Sequence, residues 1–565
     1  MLSRLTRIPA LAALMTGIAT TATAQLGERA IPGTYAITNA RIVPVSGPAV
    51  DRGTIVIRDG LIIAVGPTVA APADARIIDG AGLSVYPGFI DALSNVGVPA
   101  RAQGGGGGGN PFAQAAGPSP VAAPNSEHPV GLQPELRIID VLRVEADALD
   151  GPRGAGITAT LTAPRDGIFM GQSAVINLAG SSAQDMLVRS PVALHVGFTP
   201  IRGGYPGSLM GVFASLRQML LDAQRYRDIQ AAYARSPRGM RRPDNDHSLA
   251  ALVPALAKEM PVVMHANSQR EIERALDLAT EFGLRPIIAG GEEAWRVADR
   301  LKRENVPVIA TLNFPRRAGS TTEDADPEPL RLLQSRVDAP RNPGKLANAG
   351  IRVVFTSGGV GMADFLTNFR KAVESGMPRD QALRSLTLTP AELYGVADRI
   401  GSIETGKIAN LTLVRGDVFD RASRVTQVFI DGRPTTVRAP AAETADANPA
   451  SGTWTITATF AEGERTVTLN LRQEGENLRG SIQGALGSGD INNGTLTSGG
   501  DLKFSVPIVI GQTSEEATFA GTLTGNIMRG SVTIVGRPNG TFVGTRPAGD
   551  RPAGGRTPAQ RPPSN

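Results

Sequence analysis

The sequence has no cysteine. Disulfides and thiolate metal ligands are therefore excluded. Histidine is scarce as well: the 565 residues hold four, His128, His195, His247 and His265. Aromatic residues make up 4% of the chain, and the net charge is +5. The arginines are spread along the sequence, with no basic run and no interleaved aromatics, so no nucleic-acid partner is expected. Beyond the N-terminus no run is long and apolar enough for a transmembrane helix, and no membrane anchor is expected. Nucleotide signatures are missing. Gly203-Gly204-Tyr205-Pro206-Gly207 and Gly358-Gly359-Val360-Gly361 fit neither the dinucleotide nor the P-loop pattern and read as turns. No Gly-x-Ser-x-Gly nucleophile elbow occurs.

What the sequence does contain is ordered along its length. Arg4 and Arg7 precede an apolar stretch, Ile8 to Ala19, that is too short to span a bilayer. Thr21-Ala22-Thr23-Ala24 fits the small-x-small cleavage rule. Residues 1–24 thus read as a signal peptide, with Gln25 first in an exported protein, periplasmic or secreted. A hydrophobic content of 41% over 565 residues suits a globular chain of two or three domains.

Residues 33–86 read as short strands, with Asp59-Gly60 as a hairpin turn. Pro87-Gly88 then breaks the pattern. From 87 to 399, apolar runs alternate with amphipathic stretches. Eight strands are predicted: Gly88–Leu93, Ile157–Leu161, Ala174–Leu178, Val192–Val196, Val262–His265, Pro286–Ala289, Val308–Thr311 and Arg352–Thr356. That alternation predicts an α/β fold, a (β/α)8 barrel. Residues 100–126, with six consecutive glycines at 104–109, form a Gly/Pro-rich insertion expected to be flexible. Residues 400–437 return to short strands ending in Asp431-Gly432. Residues 438–451 are an Ala/Pro linker. Eight alternating runs between 452 and 546 predict a separate antiparallel barrel or sandwich. The Pro/Gly/Arg tail 547–565 is expected to be disordered.

The run Tyr86-Pro87-Gly88-Phe89-Ile90-Asp91-Ala92-Leu93-Ser94-Asn95 resembles the first barrel strand of the amidohydrolase superfamily, the imidazolonepropionase-like and dihydroorotase-like metal hydrolases. Gly401-Ser402-Ile403-Glu404-Thr405-Gly406-Lys407 and Val428-Phe429-Ile430-Asp431-Gly432-Arg433 resemble the segment that closes its small composite β-sandwich. The resemblance covers residues 35–435. It implies a sandwich built from 33–86 and 400–437 around the barrel. It also implies hydrolysis of a non-peptide C–N bond, in an amide or cyclic amide, by a water on a zinc-like divalent metal. Against the family pattern, Leu93 and Asn95 replace the two histidines of strand 1. Gly290 stands where strand 6 has His, and Gly358 where strand 8 has the Asp that takes the proton from water. His265 on strand 5 matches a family ligand. The C-terminal region resembles the small lipocalin-like barrels appended to exported hydrolases.

Two readings follow. His195 and His265 end neighbouring strands, and with Glu292, Glu293 or Asp364 they could hold one metal ion with an open position. In that case the chain is a hydrolase with a reduced site. The alternative has both histidines held by backbone hydrogen bonds at their strand ends. The chain is then an inactive, metal-free relative that binds a small molecule or pairs, as homo- or hetero-oligomer, with a related catalytic subunit. His128 and His247 lie in loops and receive no role. Asp91 is expected to order the strand-1 turn.

Overall fold

The computed structural model describes residues 33–99, 122–123, 126, 128–145, 147–201, 205–315, 329–437 and 450–546, apart from 461–462, 475–476, 485–486, 497–499, 511–512, 525–526 and 535–538. The expected signal peptide, most of the 100–126 insertion, most of the 438–451 linker and the tail 547–565 lie outside the described residues. The chain divides into two compact units, with the boundary after Val437.

The first unit carries one eight-stranded sheet assembled from both flanks of the sequence. Its seam is the antiparallel pairing of Leu83–Pro87 with Leu411–Arg415. Two of its hairpins turn on Asp-Gly. Asp59 and Gly60 have φ of 50° and 84°, and Asp431 and Gly432 have 53° and 70°. Positive φ at both central residues matches the right-handed strand twist, which is why Asp-Gly suits these turns. The eight strands form a single continuous sheet where two stacked sheets were expected. It curls, so that Tyr35 packs edge-on against Phe429 at 5.7 Å with two strands between theirs. Ile37, Ile42, Ile57, Leu411 and Leu413 fill the inside of the curl.

The central body holds two further sheets. One has Leu194–Gly197, Val262–Ala266, Pro286–Gly290, Val308–Thr311 and Val353–Thr356 in parallel, in sequence order. Phe169–Gln172 joins its edge antiparallel. The other contains Phe89–Ser94, Ile157–Thr162, Ala174–Asn177 and Leu187–Arg189. Only its first two strands are parallel. Ala174–Asn177, expected as the third parallel strand, runs antiparallel to Ile157–Thr162. Only residues 163–173 separate Thr162 from Ala174, and they include the strand Phe169–Gln172 of the other sheet. A parallel crossover needs a dozen or more, so the chain can only reverse there. Among the described residues no strand ladder closes these sheets into one ring. Side-chain bonds bridge the gap: Ser357 donates from N and Oγ to the Asp91 carboxylate, and Thr356 Oγ1 donates to the Leu93 carbonyl.

Alternation along the parallel strands sorts the core. Ile90, Val263, Ile287, Ile309 and Val354 meet on the inner side. Val262, Met264, Ile288, Val308 and Phe355 lie under the helices. Helix Gln269–Phe282 shows why these helices form where they do. Ser268 and Glu271 close a capping box at its start, and Gly283 with φ of 64° ends it. Ile272, Ala275, Leu276, Ala279 and Phe282 make its buried face. Among the described residues no helix is long and apolar enough to cross a membrane.

The second unit is a closed antiparallel barrel of eight strands. They run Gly452–Phe460, Gly463–Glu474, Asn477–Gly484, Asn492–Leu496, Asp501–Ile510, Thr513–Thr524, Ile527–Ile534 and Gly540–Thr545, each paired with the next. The last pairs with the first. Closure leaves no sheet edge to solvent. Inward residues of an eight-stranded barrel can fill it. Phe504 and Phe519 stack at 4.9 Å, and Phe542 meets Phe519 edge-on. Trp454 is fully buried and donates from Nε1 to the Ala450 carbonyl at 2.8 Å. The Arg546 guanidinium covers the Trp454 ring at 4.6 Å and donates to the Ser451 carbonyl. Ala450 and Ser451, read from the sequence as linker, are thus bonded into the barrel.

Candidate functional site

A cavity of about 720 Å³ opens where the parallel strands end. Strand alternation decides what reaches it. The last inward side chains are Leu93, His265, Ala289, Thr311 and Thr356, and all five line it. Two residues further on, Asn95, Asn267 and Asn313 add carboxamides. Phe198 and Phe213, stacked at 5.2 Å, form an apolar wall, and Arg165, Arg274, Glu271 and Glu292 stand around it. A second cavity of about 480 Å³ shares Asn267, Glu271, Glu292, Thr311 and Asn313 with the first. It is walled by Trp295, whose ring lies 3.5 Å from Lys345 Nζ.

His265 and His195 meet beneath the first cavity. Their strands are parallel neighbours, and both side chains point inward. His265 Nε2 lies 3.2 Å from His195 Nδ1, a hydrogen bond between two rings. His195 is fully buried, and its Nε2 has no partner. Burial, and then the neighbouring His265, push the His195 pKa well below the usual imidazole range. Burial lowers that of His265 to about 4. Both rings are therefore neutral at pH 7.

Asp91 lies under the same floor, 2% exposed. Its carboxylate accepts from Ser357 Oγ at 2.6 Å, from Ser357 N at 3.1 Å and from Leu93 N at 3.2 Å. These bonds hold the strand-1 turn against the end of Val353–Thr356. Burial outweighs them and raises the Asp91 pKa from 3.8 to about 6. The Tyr394 hydroxyl, bonded to the Ala92 carbonyl at 2.5 Å, is pushed well up by burial and by Asp91.

Residues 247–435 match the model of the amidohydrolase family. That segment, about a third of the chain, is what ties the sequence to the amidohydrolase superfamily. The fold of the chain is similar to that of an amidohydrolase from Thermotoga maritima MSB8. The two are 23% identical with a TM-score of 0.58, over 72% of this chain and 100% of the other. A prolidase with bound N-methylphosphonate-L-proline is 19% identical at a TM-score of 0.43, over the same shares. Phenylurea hydrolase B is 16% identical at 0.42, again over 72% and 100%. No curated protein matches the chain.

Members of the superfamily usually bind a divalent metal, so the residues at this mouth must be tested for fit. Leu93, Asn95, Gly290 and Gly358 all line the cavity together with His265. Gly290 has φ of 94°, and a β-carbon there would collide with Asn267 Oδ1. Gly358 has φ of 50°, and a β-carbon would lie 2.5 Å from Thr311 Oγ1. The space for a side chain at these two positions is already occupied. The carboxylates weighed as extra ligands do not converge on the histidines. Glu293 accepts from Gln269 N at 2.9 Å, so it serves the start of helix Gln269–Phe282. Asp364 sits in the first turn of helix Met362–Glu374 and is not part of the cavity lining. Glu292 lines the cavity but is exposed. Among the described residues no three of His, Asp and Glu stand together to hold a metal ion. The residues present do not fit the family's metal centre. His128 bonds to Asp246 at 3.2 Å, and His247 begins helix His247–Leu256, both away from the cavity.

Sequence reasoning did not single out Asn267, Thr311, Asn313 or Thr356. Their signal was period two. Leu93, His265 and Thr311 are each followed two residues later by Asn, so the inward face continues past the strand end as carboxamides.

Proposed function

We propose that this chain is a metal-independent, exported member of the amidohydrolase superfamily. It uses the mouth of an opened (β/α)8 barrel to bind a small polar molecule. One observation carries this reading. Among the described residues no three of His, Asp and Glu stand together to hold a metal ion, and the histidine that reaches the cavity, His265, is paired through Nε2 with His195 and joined by no carboxylate. The cavity that remains has a ring of Asn and Thr groups over a half-buried imidazole, beside an apolar Phe wall. That lining suits a neutral or zwitterionic molecule with several hydrogen-bonding groups.

The test is metal content. Full-length protein is incubated with excess zinc or manganese, dialysed and analysed. Less than stoichiometric metal is expected, and a chelator leaves the melting temperature unchanged. One tightly held ion per chain would overturn the reading.

A second reading, hydrolysis of an amide or cyclic-amide C–N bond, is supported by the family match over residues 247–435. It requires activity on a panel of amides, cyclic imides and dipeptides. It also requires that His265→Ala abolish that activity, since no spare ligand exists. In the binding reading the same change affects only the strand end and costs about 1–2 kcal/mol of stability.

A further inference from the structure

The pairing of His195 with His265 leaves a question of protons that decides what the cavity offers a ligand. Both rings are neutral, so one donates and the other accepts. Two arrangements exist. In the first, His195 donates from Nδ1 and its Nε2 is a bare lone pair. In the second, His265 donates from Nε2 and His195 must carry its own proton on Nε2. His195 is fully buried, and its Nε2 has no partner. The second arrangement therefore buries an N–H with nothing to receive it. Orphaned buried N–H groups are rarer in folded proteins than under-used acceptors. The first arrangement is favoured.

The consequence passes to the cavity. With its Nε2 accepting, neutral His265 must carry its proton on Nδ1. That atom has no hydrogen-bond partner among the described residues, and it is not among the buried unpartnered atoms. It belongs to a ring that lines the 720 Å³ cavity. We infer that His195 is a positioning residue. It fixes His265 as an Nδ1–H donor, so the cavity floor presents one oriented, uncharged N–H to a carbonyl or carboxylate oxygen of the ligand. The inference rests on the metal-free reading of this site and adds to it the ligand's chemistry. A metal ligand presents a lone pair, whereas this ring presents a proton. The cavity thus selects acceptor oxygens where a metal-binding relative would hold a cation.

The four histidines make the test direct. Full-length protein labelled with 15N at histidine is observed by long-range 1H–15N correlation of the imidazole rings. His128→Gln and His247→Gln identify and remove the other two signals. The expected spectrum has His265 and His195 both protonated on Nδ1. His195→Asn keeps an N–H near the Nδ1 position, so His265 should keep its tautomer. His195→Leu removes the donor, so His265 should revert to the Nε2–H form that free imidazole prefers. Acetate and acetamide serve as probes. They should shift the His265 Nδ1–H signal saturably in wild type and in His195→Asn. In His195→Leu they should bind roughly fivefold more weakly, the loss of one hydrogen bond. Should the Leu variant not fold, the wild-type and Asn spectra decide. A proton on His265 Nε2 in the wild type would falsify the inference, as would an unchanged tautomer in His195→Leu. Stoichiometric metal instead overturns the metal-free reading, so the two failures are distinct.

Discussion

Asp91 shows at the level of one residue how this fold carries a buried charge. Its carboxyl has three donors and no cation, and its pKa in the folded protein is about 6, against 3.8 free. A raised acid pKa means that the folded state holds the proton more tightly. Its contribution to stability is therefore full below about pH 4 and is lost as pH rises through 6. The difference corresponds to about 3 kcal/mol. His195 and His265 act in the opposite sense. Their lowered pKa values cost stability as pH falls from 6.5 toward 4. In the wild type these slopes oppose one another, so Asp91→Asn is needed to separate them. Asn Oδ1 can accept from Leu93 N and Ser357 N, while Nδ2 donates to Ser357 Oγ. The variant should be no less stable than wild type at pH 8, and its advantage should shrink by up to about 3 kcal/mol at pH 4. Urea midpoints of the first unit at both pH values measure this; a pH-independent difference would refute it. At this scale the sequence was legible in part. The replacements at Leu93, Asn95, Gly290 and Gly358 stand in the motifs themselves. What fills the vacated space does not, because Asn267 reaches Gly290 and Thr311 reaches Gly358 across neighbouring strands. Local pattern holds no record of such contacts.

Among elements, the parallel strands from Leu194 to Thr356 were legible because each has an inward and an outward apolar set and a helix-length connection to the next. The reversed strand Ala174–Asn177 was not. Its apolar run is as good a parallel strand as its neighbours, and only the short span 163–173, itself partly strand, forbids that direction. The curled flank sheet was legible from its Asp-Gly turns, but its attachment to the central body, where Val414, Val428 and Ile430 join the central core, also uses single polar residues that no pattern marks. Asn410, 4% exposed, donates to Asn177 Oδ1 at 2.7 Å and accepts from Asp431 N at 2.9 Å. Its own carbonyl receives Gly88 N at 2.8 Å. Asn410→Ala leaves buried partners unsatisfied and should cost about 1–3 kcal/mol. The measurement is chemical denaturation of the first unit, and a cost below about 0.5 kcal/mol would show that the sheet is held to the central body by its apolar contacts alone. Gly88 is constrained in a different way. A β-carbon there would collide with the buried Thr158 hydroxyl, so the Pro-Gly signal in the sequence reflects close packing of two strands.

For the whole molecule, apolar clusters confined to one side or the other of Val437 imply two separable folding units. Limited proteolysis should cut within 438–449 and release a β-rich fragment; intact chain under conditions that digest an unfolded control would count against this. A fragment beginning at Ala450 should be more stable than one beginning at Gly452 by about 1–3 kcal/mol. The shorter fragment loses the Ala450 and Ser451 carbonyls that receive Trp454 and Arg546. Thermal melts of the two fragments settle it. The two tryptophans of the chain are divided between these units. Trp295 is half-buried beside Lys345 in the first, and Trp454 is sealed under Arg546 in the second. Each unit thus contains one tryptophan. Trp295→Phe and Trp454→Phe would each leave a single indole, and with excitation at the red edge, where tyrosine does not absorb, the colour of its emission during unfolding would report on one unit alone, without any attached dye.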